Sequence, residues 1–77
     1  MSKLPIVKPE KIIKFLEYVG FKLSRQKGSH IFFKHPDGRT ATVPYHKGED
    51  IPRGLLAKIL RDVEVDNEIF VKWLSGK

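Results

Sequence analysis

Lys27-Gly28-Ser29-His30-Ile31-Phe32-Phe33-Lys34-His35-Pro36-Asp37-Gly38 is the stretch that decides the fold of this chain. From His30 to Lys34 polar and apolar side chains alternate, as they do in a strand with one buried face. Asp37-Gly38 is a tight-turn pair at one end, and Lys27-Gly28 supplies a turn at the other. Phe21 to Gln26 before this stretch and Thr40 to Val43 after it alternate in the same way, which predicts three antiparallel strands. Counting by twos puts Phe21, Leu23, Ile31, Phe33, Ala41 and Val43 on one oily face. Lys22, Ser24, Gln26, His30, Phe32, Lys34, Thr40 and Thr42 fall on the other. A sheet of this kind has one face covered and one face open.

Helices precede and follow the strands along the chain. Pro9 suits a first helical position, with Glu10 near the positive end of the helix dipole. Ile12, Ile13, Leu16 and Val19 then recur at helical spacing, with Phe15 on the flank, and Gly20 can close the helix. Pro44 ends the last strand, and Tyr45-His46-Lys47-Gly48-Glu49-Asp50 is a polar loop. A second helix opens around Pro52, with Leu55, Leu56, Ile59, Leu60 and Val63 as its core stripe. A short third helix from about Asp66, a candidate N-cap, turns Ile69, Phe70, Trp73 and Leu74 inward. The Asp62–Glu68 acidic run reads as a solvated connection. The expected fold is therefore α+β, in the order α-β-β-β-α. Its three-stranded antiparallel sheet carries the helices on one face, and a short C-terminal helix follows.

Composition narrows the function. A length of 77 residues, 40% of them hydrophobic, bounds the chain to one domain (1–77) with a small core. There is no cysteine, so disulfides and thiolate metal sites are excluded, which fits a reducing cytoplasm. Met1 to Pro9 lacks the apolar run of a signal peptide, and no segment reaches the length of a membrane span. Lys and Arg number 15 against 9 Asp and Glu, and most of the excess lies between Lys22 and Lys47. A basic centre points to a polyanionic partner such as a nucleic acid.

His30 is the residue on which chemistry can turn. Its parity places it on the open face with Phe32 and Lys34, so it is not a core histidine. An imidazole, with an ordinary pKa of about 6.5, exchanges protons near neutrality. It could take the proton of an RNA 2′-hydroxyl, while Arg25, Lys27 and Lys34 stabilise charge on the phosphate. Lys22, His46 and Lys47 extend the basic surface. Gly28 either permits close approach of a phosphate or simply forms the turn, and Ser29 is a hydrogen-bond donor beside it. Phe32 is either a stacking platform for an unpaired base or a contact for a protein partner. His30 and His35, five apart, point to opposite faces and His46 lies in a distant loop, so no metal site is expected. No cofactor is called for. Arg53 in the second helix's first turn could receive a phosphate or be an ordinary exposed residue.

Four blocks in this order and spacing carry a resemblance. They are Lys27-Gly28-Ser29-His30, His35-Pro36-Asp37-Gly38-Arg39, Thr42-Val43-Pro44-Tyr45-His46, and Asp50-Ile51-Pro52-Arg53-Gly54-Leu55-Leu56 leading into Lys58-Ile59-Leu60-Arg61. Over residues 4–74 the chain resembles the HicA family of mRNA interferase toxins (YcfA-like proteins). The resemblance implies a fold like the double-stranded RNA-binding domain and an endoribonuclease acting on mRNA. It implies a catalytic histidine at His30, and a HicB-type antitoxin that covers that histidine. The alternative is a non-catalytic double-stranded RNA-binding module using the same basic face. A third reading is an open face that serves only to bind a protein partner.

Overall fold

Pro9 opens the first helix of the computed structural model, which describes residues 4–76. Helix α1 spans Pro9–Tyr18, and strands β1 (Lys22–Lys27), β2 (His30–Lys34) and β3 (Thr40–Pro44) follow. Helices α2 (Arg53–Asp62) and α3 (Asn67–Leu74) complete the chain. The sheet is antiparallel in the order β1-β2-β3. The architecture is α+β in the expected order. Residues 1–3 and 77, the ends of the expected domain, lie outside the described residues.

Ile31, Phe33, Ala41 and Val43 are buried on one side of the sheet, where they join Ile12, Phe15 and Leu16 of α1 and Leu56, Ile59 and Leu60 of α2 in a single core. Phe70 of α3 closes it, its ring meeting that of Phe15 edge to face at 4.9 Å. Phe15 is fully buried, so it occupies the middle of the helix stripe and not its flank. On the other side of the sheet His30, Lys34, Thr40 and Thr42 are exposed. Among the described residues no helix is long and apolar enough to cross a membrane.

Three expectations are corrected by packing. Leu23 lies opposite Phe33 but is 59% exposed, because β1 is an edge strand and the helices rest mainly on β3. Ile69 is half exposed; α3 turns Phe70 fully inward and half-buries Val71 instead. The first hairpin turns at Gly28-Ser29, one residue later than read, with Lys27 facing His30. Gly28 takes φ +57°, the conformation that a glycine-first two-residue turn requires.

Both longer helices end alike. After α1, Phe21 N–H donates to Leu16 C=O at 2.9 Å and Gly20 N–H to Glu17 C=O at 3.1 Å. That is the double bond of a Schellman cap, with Gly20 in the left-handed region at φ +102°. After α2, Val65 N–H reaches Leu60 C=O at 3.0 Å and Glu64 N–H reaches Arg61 C=O at 3.0 Å. Here the left-handed residue is Glu64, at φ +59°. Part of the acidic run is thus an ordered cap, with Val63 buried beneath it. Asp66 stands at the N-cap of α3, but its side chain makes no capping bond.

Glu64 carries strain that glycine would not. Glu64→Gly is expected to raise stability by about 0.5–1 kcal/mol, the left-handed cost less the extra unfolded-state freedom of glycine. A thermal melt reads this as a rise of about 2–8 °C in Tm.

Candidate nucleic-acid interface

The pairing of β1 with β2 is irregular, and this irregularity builds the site. Lys22 faces Lys34 and Leu23 faces Phe33, but the next partners are Arg25 with Phe32, so Ser24 is an extra residue in a β-bulge. Beyond the bulge the parity of β1 reverses. Strict alternation would turn Arg25 and Lys27 towards the core side. The bulge places them on the open face, opposite Phe32 and His30 respectively. Gln26, expected on the open face, instead pairs with the buried Ile31.

The open face therefore carries Lys22, Arg25, Lys27, His30 and Lys34, with Phe32, Thr40 and Thr42 between them. Lys22 and Lys34 are directly opposite like charges, an arrangement that destabilises a sheet until an anion joins it. None of these cations takes part in an ion pair among the described residues. The Arg25 guanidinium lies 4.9 Å from the centre of the Phe32 ring. Phe32 is thus half-buried on the open face, with a cation over its ring.

His30 sits at one end of this face. It is exposed, with Lys27 on one side and Pro44 on the other as cross-strand partners. Ser29 is half-buried, and its carbonyl accepts the Tyr45 N–H at 2.6 Å. This bond ties the hairpin turn to the loop after β3, which brings Gly28, Ser29, His30 and the His46-Lys47 loop to the same end of the sheet. Within that loop Glu49 N–H closes a turn on the His46 carbonyl at 2.9 Å. Lys22 and Lys34 lie at the opposite end, about 13 Å away by strand rise. The basic surface is a stripe, with the imidazole at its tip. Arg53 takes no part: its Nε donates to the Leu4 carbonyl at 2.6 Å, holding the N-terminal segment.

His35 belongs to a different structure. Its ring meets Phe21 at 5.1 Å, and its Nδ1 accepts the Asp37 N–H at 3.1 Å. Arg39 also lies over the Phe21 ring, 5.2 Å from its centre, and donates to the Asp37 carboxylate and the Val63 carbonyl. The Arg39 amide, ahead of its guanidinium, holds the Asp37 carboxyl below the usual carboxylate range. The His35–Arg39 block is a clamp joining the second turn to the end of α2. A side chain at Gly20 would run into the His35 ring, 2.8 Å from Nε2. Among the described residues no three His, Asp or Glu side chains gather as a metal site.

The tie at the His30 end has a charge signature. The Tyr45 hydroxyl donates to the Glu10 carboxylate. That bond lowers the Glu10 pKa and raises that of Tyr45. Because Glu10 and Asp37 are both lowered in the folded state, their stabilisation is present above the unfolded carboxylate values of about 4 and disappears as pH falls through the lower folded ones. Tyr45→Phe is expected to raise the Glu10 pKa towards the ordinary carboxylate range in a carbon-detected NMR titration. It should also make the urea midpoint fall less between about pH 4.5 and pH 3 than it does in the wild type.

Two features of the site were not read from the sequence: Pro44 as the neighbour of His30, and the bulge that brings Arg25 and Lys27, read as its phosphate-binding companions, onto its face. A signal for the second was present. Charges at 25 and 27 continuing the parity of Phe21 and Leu23 imply a register break. A family model described as HicA toxin of bacterial toxin-antitoxin matches residues 9–65, from the first residue of α1 to just past α2. A search of curated proteins gives no match.

Proposed function

Because the chain belongs to the HicA family of bacterial toxin-antitoxin toxins, we propose that it is a metal-independent endoribonuclease that cleaves mRNA in the cytoplasm, with His30 as its catalytic residue. The whole chain, 1–77, is one domain of double-stranded RNA-binding type. The observation that carries the reading is the bulge at Ser24, which gathers Arg25 and Lys27 onto the face of an exposed histidine.

The chemistry follows from that grouping. Neutral His30 removes the 2′-hydroxyl proton, the 2′-oxygen attacks the adjacent phosphorus, and the bond to the 5′-oxygen breaks. The products are a cyclic phosphate and a free 5′-hydroxyl. Lys27, directly across from His30, and Arg25 next along the strand neutralise the charge that grows on the phosphoryl oxygens. Those fixed cations supply the stabilisation that a metal ion gives in other nucleases. Lys22, Lys34 and Lys47 hold flanking phosphates, and Gly28 and Ser29 offer backbone and hydroxyl contacts at the turn. In this reading His46 returns a proton to the leaving oxygen. A HicB-type antitoxin silences the enzyme by covering His30 and engaging the same cations.

The test is incubation of wild type and His30→Ala with a long single-stranded RNA in EDTA, read on a gel. Cleavage by the wild type alone supports the nuclease. Intact RNA with both proteins and equal gel shifts sinks it, and leaves a binding module.

A further inference from the structure

Pro44, the cross-strand neighbour of His30, is also a wall of a cleft of about 270 Å³ between the loop after β3 and the starts of α1 and α2. The volume lies just under the roughly 300 Å³ at which pockets for drug-sized ligands begin, and suits one flat ring system. Pro9, Pro44, Ile51 and Leu55 give the cleft apolar walls, and His46 and Glu49 contribute polar atoms. The loop is anchored at its far end. Ile51 N–H bonds to the Val7 carbonyl at 2.7 Å, and Lys8 pairs with Asp50 at 3.0 Å.

Glu49 is the cleft carboxylate without a partner among the described residues. Asp50 is committed to Lys8, but no ion pair or side-chain hydrogen bond engages the Glu49 carboxylate among the described residues. An acceptor-only group beside a phosphate-binding stripe repels the RNA backbone, so an RNA group seated against it is one that donates. Unstacked bases do so through their Watson–Crick edges. Guanine offers N1–H and N2–H side by side, matching the two oxygens of one carboxylate. Adenine and cytosine set an acceptor beside their single amino group, and uracil flanks its one N–H with carbonyls.

We propose that this cleft is a guanine-binding subsite of the nuclease, in which Glu49 accepts the N1–H and N2–H donors and Pro44, Pro52 and Leu55 bracket the ring. The inference rests on the nuclease reading and adds its sequence preference: the seated guanine selects which phosphate reaches His30. A bidentate contact of this kind discriminates by about tenfold to a hundredfold.

Two measurements test it together. Wild type and Glu49→Gln are incubated with a randomised single-stranded RNA pool and the cut ends are sequenced. In parallel, His30→Ala and His30→Ala/Glu49→Gln are titrated by NMR with guanosine, adenosine, cytidine and uridine monophosphates. Guanine should be enriched about tenfold or more at one fixed position beside the cut, and Glu49→Gln should lose that enrichment. Guanosine monophosphate alone should shift the Ile51 and Leu55 resonances, and only with Glu49 intact. Cutting without guanine enrichment, or enrichment that survives Glu49→Gln, overturns the subsite and leaves the nuclease standing. Absent cleavage with Glu49-dependent guanosine monophosphate binding keeps the subsite and overturns the nuclease. Absent cleavage without such binding overturns both.

Discussion

His30→Gln is expected to lower RNA cleavage in EDTA by about 10²–10⁴-fold, the range typical of losing a positioned general acid or base. RNA affinity in a gel shift and the thermal midpoint should stay at wild-type values. The side chain is exposed and takes part in no described hydrogen bond, so its loss removes no packing. Affinity comes from lysine and arginine contacts to phosphates, and Lys22, Arg25, Lys27 and Lys34 remain. A variant that lost affinity along with cleavage would make His30 a binding residue. A variant that still cut at the wild-type rate would remove it from the mechanism.

The largest stability effect is expected at Phe15. Its ring is fully buried, meeting Phe70 at 4.9 Å and Trp73 at 5.3 Å, so it is the point at which α3 is held to α1. Phe15→Ala removes that contact and leaves a cavity, at a cost of about 3–5 kcal/mol. Against the roughly 5–15 kcal/mol of an ordinary domain, and towards the lower end for one this small, that leaves little folded protein at 37 °C. Urea titration reads it directly. Ile69→Ala on the exposed side of α3 is the control, expected within about 0.5 kcal/mol of wild type. If the two variants cost the same, the aromatic cluster is not what docks α3.

Much of this was legible because it is local. The 3.6-residue spacing of Ile12, Leu16 and Val19, the alternation from His30 to Lys34 and the glycines at 20 and 38 each report on a few neighbouring residues. The Schellman cap on Glu64 was hidden because its signature is normally glycine or asparagine at that position. α3 was misread at its edges. In eight residues the apolar positions Ile69, Phe70, Val71, Trp73 and Leu74 leave the inward direction open, and only contact with Phe15 selects Phe70. The role of the His35–Arg39 block was equally out of reach, since its partners, Phe21 and Val63, lie far away along the chain.

Residue order and hydrophobic period alone determined the three strands, the order of the elements, the oily side of the sheet and the place of His30 on the open side. Family membership was legible as well, through the resemblance carried by the four sequence blocks and the family model that matches residues 9–65. Tertiary structure decided how Arg25 and Lys27 reach the face of His30. One unpaired residue, Ser24, reverses the parity of the rest of β1, and a bulge is a property of two strands in register, not of either strand read alone. It likewise decided that Pro9, Pro44, Glu49 and Ile51 meet in a cleft. Periodicity reports which side of an element is buried, whereas a site assembled from distant segments depends on how those buried sides come to share one core.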